Sequence, residues 1–223
     1  MRINKLALTN FRSYNSLELD LEPGVITFIG DNGAGKTNIA ESLIYLAFLS
    51  SHRVANNVPL ISLGNQQAII RAEVQRDERT LQIDLEINAS KANRARINGN
   101  PTRSQRELLG AIQIVYFSPE DLDLVRGEPG NRRDFLDRLL ITRTPRLAGV
   151  IADYERVVKQ RNALLKTRTS AAALVPWNEQ LIKLGAELTA ERIALVDVLN
   201  PWVAKNYANL NEVKPASISY KCS

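Results

Sequence analysis

The sequence predicts an α/β fold, a mixed sheet with an inserted helical lobe. Three observations carry this. A continuous apolar run ends in a glycine-rich stretch that opens a helical pattern, between residues 25 and 47. The middle of the chain places apolar residues at every second position, as half-buried strands do. The last third spaces them three or four apart, as amphipathic helices do.

The chain has 223 residues, enough for one large domain or two small ones. Hydrophobic residues make up 44% and charged residues 24%, which supplies a sizeable core and excludes disorder as the main state. Cys222 is the single cysteine, so a disulfide scaffold is excluded; with one histidine, so is a His/Cys metal site. No apolar run approaches the roughly 20 residues that cross a bilayer. Met1 to Lys5 lead into no signal-peptide core. No membrane partner is expected, and the simplest compartment is a reducing cytoplasm. The net charge is +5, but residues 126–168 alone hold eleven Lys or Arg against five Asp or Glu. Such an excess suits an anionic partner such as nucleic acid, and equally a solvated helix face.

Leu17, Leu19 and Leu21 alternate with polar residues, so 16–21 reads as a strand. Pro23-Gly24 is a turn. Val25-Ile26-Thr27-Phe28-Ile29 is apolar throughout, as a central strand covered on both faces would be. After the glycines, Ile39, Ala40, Leu43, Ile44, Leu46 and Ala47 recur at helical spacing. Residues 67–74 and 81–87 alternate and are joined by the polar link Arg76-Asp77-Glu78-Arg79, a hairpin; Asn98-Gly99 marks a second. Residues 112–117 read as another buried strand. From Arg132 the pattern is helical. Leu147, Ile151, Tyr154, Val158 and Leu165 form one stripe, and Leu181, Leu184, Leu188, Leu195 and Leu199 a second. A looser stretch, 169–176, joins them into a helical hairpin, and Pro201 is expected to break or kink the second helix. Residues 217–220 look like the start of a strand.

Gly30-Asp31-Asn32-Gly33-Ala34-Gly35-Lys36-Thr37 matches G-x-x-x-x-G-K-S/T, between a strand and a helix. Glycines let backbone approach a phosphate, and successive N–H groups with the helix N-terminus face the anion. Lys36 would reach the β- and γ-phosphates and the Thr37 hydroxyl would ligate Mg²⁺. A guanine-reading N-K-x-D segment is missing from the sequence, which favours ATP.

Several segments together resemble the RecF family, bacterial recombination-mediator ATPases related to SMC-type ATPase heads. They are Asn10-Phe11-Arg12-Ser13-Tyr14, the loop through Asn38, Ser51-His52-Arg53, Phe117-Ser118-Pro119-Glu120-Asp121-Leu122, Arg132-Arg133-Asp134-Phe135-Leu136-Asp137 and Lys159-Gln160-Arg161-Asn162. The resemblance implies a P-loop NTPase of the ABC/SMC head type. Its ATP-binding lobe would span residues 1–125 and its helical lobe 126–212, with 213–223 beginning a returning strand. It implies ATP and Mg²⁺ as cofactors and ATP-dependent homodimerisation. It also implies binding of single-stranded or gapped DNA and of single-strand/double-strand junctions, with other mediator proteins. Recombinase loading, recombinational repair and the SOS response would follow. Arg12 would contact the nucleotide, and His52 would sit near its adenosine end, although a loop residue without that role is the plainer reading.

The family's Walker B strand and L-S-x-G-Q signature find no convincing match. Ile193-Ala194-Leu195-Val196-Asp197 continues a helical stripe, and Ser62-Leu63-Gly64-Asn65-Gln66 reads as a loop. The head is therefore expected to be incomplete and the chain truncated. Whether it is an enzyme stays open: the family is a weak DNA-stimulated ATPase, and the alternative is a non-hydrolysing nucleotide- or DNA-binding fragment. A small-molecule P-loop kinase is a weaker third reading. Glu120 and Asp121 either orient Mg²⁺ or water, or cap a short helix begun by Ser118-Pro119. Arg132 and Arg133 either touch DNA or a partner head, or pair with Asp134 and Asp137. Arg156, Lys159, Arg161, Lys166 and Arg168 are candidate DNA contacts. Trp177 and Trp202 are expected to be core anchors.

Overall fold

The computed structural model describes every residue except 55, 168, 169, 211–213 and 223. The chain divides into two compact units, Met1–Ser118 and Pro119–Ser223.

The first unit is a sheet with one helix against it. Its strands are β1 (Arg2–Phe11), β2 (Tyr14–Asp20), β3 (Gln67–Arg76), β4 (Arg79–Asn88), β5 (Arg94–Ile97) and β6 (Asn100–Pro101), and α1 (Lys36–Phe48) lies between β2 and β3 in sequence. The strand order is β2-β1-β3-β4-β5-β6, and every neighbouring pair is antiparallel. Alternation decides which face is covered. Leu6 and Leu8, then Ala68, Ile70, Ala72 and Val74, then Ile83, Leu85 and Ile87 are buried, together with Ile39, Tyr45, Leu46 and Ala47 of α1. Both expected hairpins form. Arg76 pairs with Arg79 across a two-residue turn, and Ile97 pairs with Asn100 around Asn98-Gly99. Asn98 and Gly99 have φ of 51° and 77°, the positive values that a twisted two-residue hairpin requires.

Two expected strands do not form. Residues 25–29 are irregular, with Val25 98% and Ile29 91% exposed. In 112–117, Ile112 is buried, Ile114 packs on the core and Tyr116 is half-buried, whereas Val115 is 103% exposed and Phe117 stands in solvent too. A strand exists by repeated hydrogen bonding to a neighbour; among the described residues none pairs with 25–29, and 112–117 has a single isolated bridge, from Ile112 to Leu109. Residues 217–220 likewise form no strand.

The second unit is helical: α2 (Asp123–Arg126), α3 (Pro129–Arg143), α4 (Leu147–Lys166) and α5 (Ala171–Ala208). Leu140, Leu147, Ile151, Leu188 and Leu195 form its core. Deep in it, Arg192 donates two 2.7 Å hydrogen bonds to the Asp137 carboxylate. Pro201 does not end α5, which runs on to Ala208. An interior proline costs about 3 kcal/mol, and the turns on either side outlast that loss here. Trp202 is no core anchor: it is 60% exposed, with the Lys205 ammonium 5.7 Å from its ring centre. Trp177 is half-buried. No helix among the described residues is long and apolar enough to cross a membrane.

Candidate nucleotide site

The loop at 30–35 turns directly into α1. Gly35 is the helix N-cap, with φ 94°; no side chain caps this end and its first turn holds no acidic residue. The positive end of the helix dipole and its leading N–H groups are thus left for an anion. Gly33, at φ 86°, turns the loop without strain. The Lys36 ammonium donates to the carbonyls of Gly30 and Asp31, at 2.6 and 2.7 Å. Its protein partners are therefore neutral carbonyls of its own loop, which a phosphate can replace. Thr37 is exposed in the first turn of α1. Loop, helix end, lysine and hydroxyl together fit a polyphosphate with its metal ion.

The turn between β1 and β2 lies on this loop. Tyr14 donates its hydroxyl hydrogen to the Ala34 carbonyl at 3.3 Å, and Asn38 donates to Ser13 Oγ at 3.0 Å. A Cβ on Gly35 would stand 2.7 Å from the Tyr14 hydroxyl and 2.8 Å from Ser13 Oγ. Here glycine is required both by φ and by close approach.

Arg12 has a φ of 54°. Its Nε and Nη2 donate to the two oxygens of Glu41, at 2.9 and 2.6 Å, and its Nη1 to the Pro59 carbonyl at 2.8 Å. Glu41 also accepts from Ser51 Oγ at 2.5 Å and from Arg53 Nη1 at 3.3 Å. Burial pushes the Glu41 pKa up, but hydrogen bonds from Arg12 and Ser51 and the charges of Arg12 and Arg53 outweigh it. They hold the carboxyl below its ordinary value of 4.5. The apolar positions of α1 alone do not single out Glu41. The signal was available: Glu41 sits three and four residues before Ile44 and Tyr45, so it shares their buried face. A carboxylate there must be paired.

The other candidates scatter. His52 Nε2 and the Tyr116 hydroxyl are 2.9 Å apart, with ring centres separated by 4.8 Å. Residues 119–122 form a single 3₁₀ turn. Arg132 pairs with neither Asp134 nor Asp137: it donates to the carbonyls of Leu124 and Gly127, both at 3.1 Å, and closes the α2–α3 turn. Asp137 serves Arg192 instead. Arg156 pairs with Asp153 at 3.0 Å, and Arg161 donates to Asn178 at 2.7 Å. Lys159 and Lys166 flank a groove on α4 with Tyr154 and Val158. Arg168 lies outside the described residues. Residues 193–197 are helical within α5, and 62–66 are a loop before β3, so neither is a Walker B strand or a signature at a helix start.

The family described as AAA ATPase domain matches residues 1–142. Proteins called DNA replication and repair protein RecF are similar along nearly the whole chain. That of Streptomyces avermitilis is 47% identical over 234 residues, covering 100% of this chain and 63% of its own length. That of Rhodococcus erythropolis is 48% identical over 238 residues, covering 100% and 58%. The chain belongs to the AAA ATPase domain family. A solved structure titled as the recombination mediator RecF with ATP in the RecFOR pathway is 25% identical, with a TM-score of 0.81 over 94% of this chain and 58% of that one. A second, titled RecF-ATPrS, is 24% identical with a TM-score of 0.88 over 95% of this chain and 58% of that one, and shows the shared fold. The chain therefore spans about three fifths of the length of these RecF relatives. The fold is that of a P-loop ATPase head, and ATP binding is the property these RecF comparisons support.

Proposed function

We propose that this chain is the nucleotide-binding part of an ATP-dependent DNA repair and replication protein. ATP binds at residues 30–37: backbone N–H groups from Asp31 to Gly35 and the Lys36 ammonium hold its phosphates, and Thr37 holds Mg²⁺. Arg12 serves the site through its turn, since Glu41 and Pro59 engage its guanidinium while Ser13 and Tyr14 beside it rest on the loop. The observation that carries the reading is the uncapped start of α1 beneath a loop whose lysine, among the described residues, donates to backbone carbonyls of that loop. Residues 1–125 act as the ATP-binding lobe and 126–212 as the helical lobe. ATP joins two copies, and the dimer binds single-stranded or gapped DNA in the cytoplasm. With other recombination mediators it supports recombinase loading, recombinational repair and the SOS response. The names of its RecF relatives, DNA replication and repair proteins, support this.

One observation favours a second reading, binding without turnover. The run at 193–197, the one with the apolar-plus-Asp form, is helix rather than a strand beside the loop. Binding and turnover of a labelled ATP analogue, with and without gapped DNA, test both. Binding that Lys36→Ala abolishes is expected; binding unchanged in Lys36→Ala refutes the site. Turnover that depends on Lys36 removes the second reading.

A further inference from the structure

One buried carboxylate ties two separate segments to the helix that follows the phosphate loop. Glu41 has no exposed side-chain surface. It receives Arg12 from the β1–β2 turn in two parallel bonds, Ser51 from the segment after α1, and Arg53 from two residues further on. From Arg53 the chain of contacts returns to the loop: Arg53 Nη1 donates to Asn38 Oδ1 at 3.1 Å, and Asn38 donates to Ser13 Oγ. Ser13 and Tyr14 are the groups against which Gly35 packs. Arg12 is held from the other side as well, since its N–H donates to the Leu60 carbonyl at 2.8 Å and Ser62 Oγ donates to its own carbonyl at 2.7 Å.

We propose that Glu41 is a positioning residue for the nucleotide site, setting the phosphate loop through Arg12 on one side and through Arg53 and Asn38 on the other. This rests on the nucleotide-binding reading above. Glu41 touches no phosphate: it lies on the buried face of α1, beyond Lys36 and Thr37, and acts by fixing what touches the loop. Two guanidinium groups converge on one carboxylate, so the pair geometry depends on its charge as well as its shape. Bidentate arginine–carboxylate bonding is directional, so it fixes the orientation of the Arg12 turn rather than merely attracting it. That turn is strained, with a non-glycine φ of 54° at Arg12, and a strained turn needs such ties to persist. A prearranged loop spares a phosphate ligand the ordering cost, and removing the tie returns that cost to binding.

The test is titration of a fluorescent ATP analogue into the chain and its Glu41→Gln, Glu41→Asp, Asn38→Ala and Lys36→Ala variants, each melted without nucleotide. Hydrogen exchange is followed for peptides covering residues 9–16, 30–37 and 67–88. Glu41→Gln keeps the size and removes the charge. About tenfold weaker binding by its folded form is expected, with faster exchange at 9–16 and 30–37 but not at 67–88. Glu41→Asp, which restores the charge on a shorter stem, is expected to recover part of the affinity. Asn38→Ala, which cuts the relay at its half-exposed end and leaves the buried charge in place, is expected to weaken binding severalfold and covers the case in which Glu41→Gln does not fold. Nucleotide affinity unchanged in both Glu41→Gln and Asn38→Ala, or exchange raised evenly across all three regions, would overturn the inference while Lys36→Ala still loses binding. If Lys36→Ala binds as well as the unaltered chain, the nucleotide reading fails, and the inference with it.

Discussion

Replacing Gly35 by alanine should damage the site twice over, and the two effects can be separated. Gly35 sits at φ 94°, outside the regions open to a side chain, which by itself costs roughly 1–2 kcal/mol. The new Cβ would also stand 2.7–2.8 Å from Tyr14 Oη, Ser13 Oγ and Tyr14 Cζ, so the tyrosine ring must move and its bond to Ala34 must break. Overpacking of that kind adds roughly 1–3 kcal/mol. The total is about 2–5 kcal/mol, a large share of a marginal stability. Gly64 is the control. Its φ is 84°, but nothing lies within 4 Å of a Cβ there, so Gly64→Ala carries the strain alone. Urea unfolding of both variants should place Gly35→Ala below Gly64→Ala by the overpacking term. ATP-analogue binding should fall more than tenfold in Gly35→Ala and stay unchanged in Gly64→Ala. Equal losses of stability in the two variants, with equal affinities, would refute the close packing of the β1–β2 turn on the loop.

Four further outcomes are expected. Removing one partner of the buried Arg192–Asp137 pair, by Asp137→Ala, should destabilise the helical unit by about 3–5 kcal/mol in thermal melts. The exposed pair Arg156–Asp153 should be worth less than about 1 kcal/mol in Arg156→Ala. Because the folded-state pKa of Glu41 lies below its ordinary 4.5, its ion pairs contribute stability that is fully present above that pH and lost as pH falls through the lowered value. Acid unfolding curves should show this limb in the unaltered chain and lose it in Glu41→Gln. Val115→Lys should shift the unfolding free energy by less than about 0.5 kcal/mol, since that side chain stands wholly in solvent. A loss of several kcal/mol would mean that 112–117 is packed as its sequence suggested.

Local signals and neighbour-dependent signals had different fates. The β3–β4 and β5–β6 hairpins, the helix after the glycines and the stripes of the two long helices were legible because each is decided within about 20 residues, by alternation, Asn98-Gly99 or helical spacing; the link expected at 169–176 was not, since α5 already begins at Ala171. The runs at 25–29 and 112–117 carry an equally strong apolar signal, yet neither is a strand here. Continuous hydrophobicity reports that a segment is meant to be covered on both faces, not which residues cover it. The described residues supply an antiparallel sheet that ends at β2 on one edge and β6 on the other, and neither run pairs with it. Pro201 does not break α5: its local penalty of a few kcal/mol is outweighed by the length of the helix and the buried Leu188, Leu195 and Val196, which favour continuation.

The phosphate loop itself was fully legible, because its chemistry resides in backbone conformations that only glycine supplies and in two side chains at fixed offsets. What surrounds it was not. Arg12 was recognisable as a site residue by resemblance, but its partner Glu41 is 29 positions away, and Ser51, Arg53 and Pro59 are further still. Spacing carries no information about contacts that the sheet and helix create only when folded. A rule would have reached part of it. A charged residue on the buried face of a helix that begins at a ligand loop has to be neutralised, and the cheapest source of opposite charge is a segment already held against that loop. The β1–β2 turn and the residues after α1 are such segments, and both offer an arginine. The carboxylate that burial makes costly is thus the same group that gives two otherwise independent turns one common geometry beside Lys36 and Thr37.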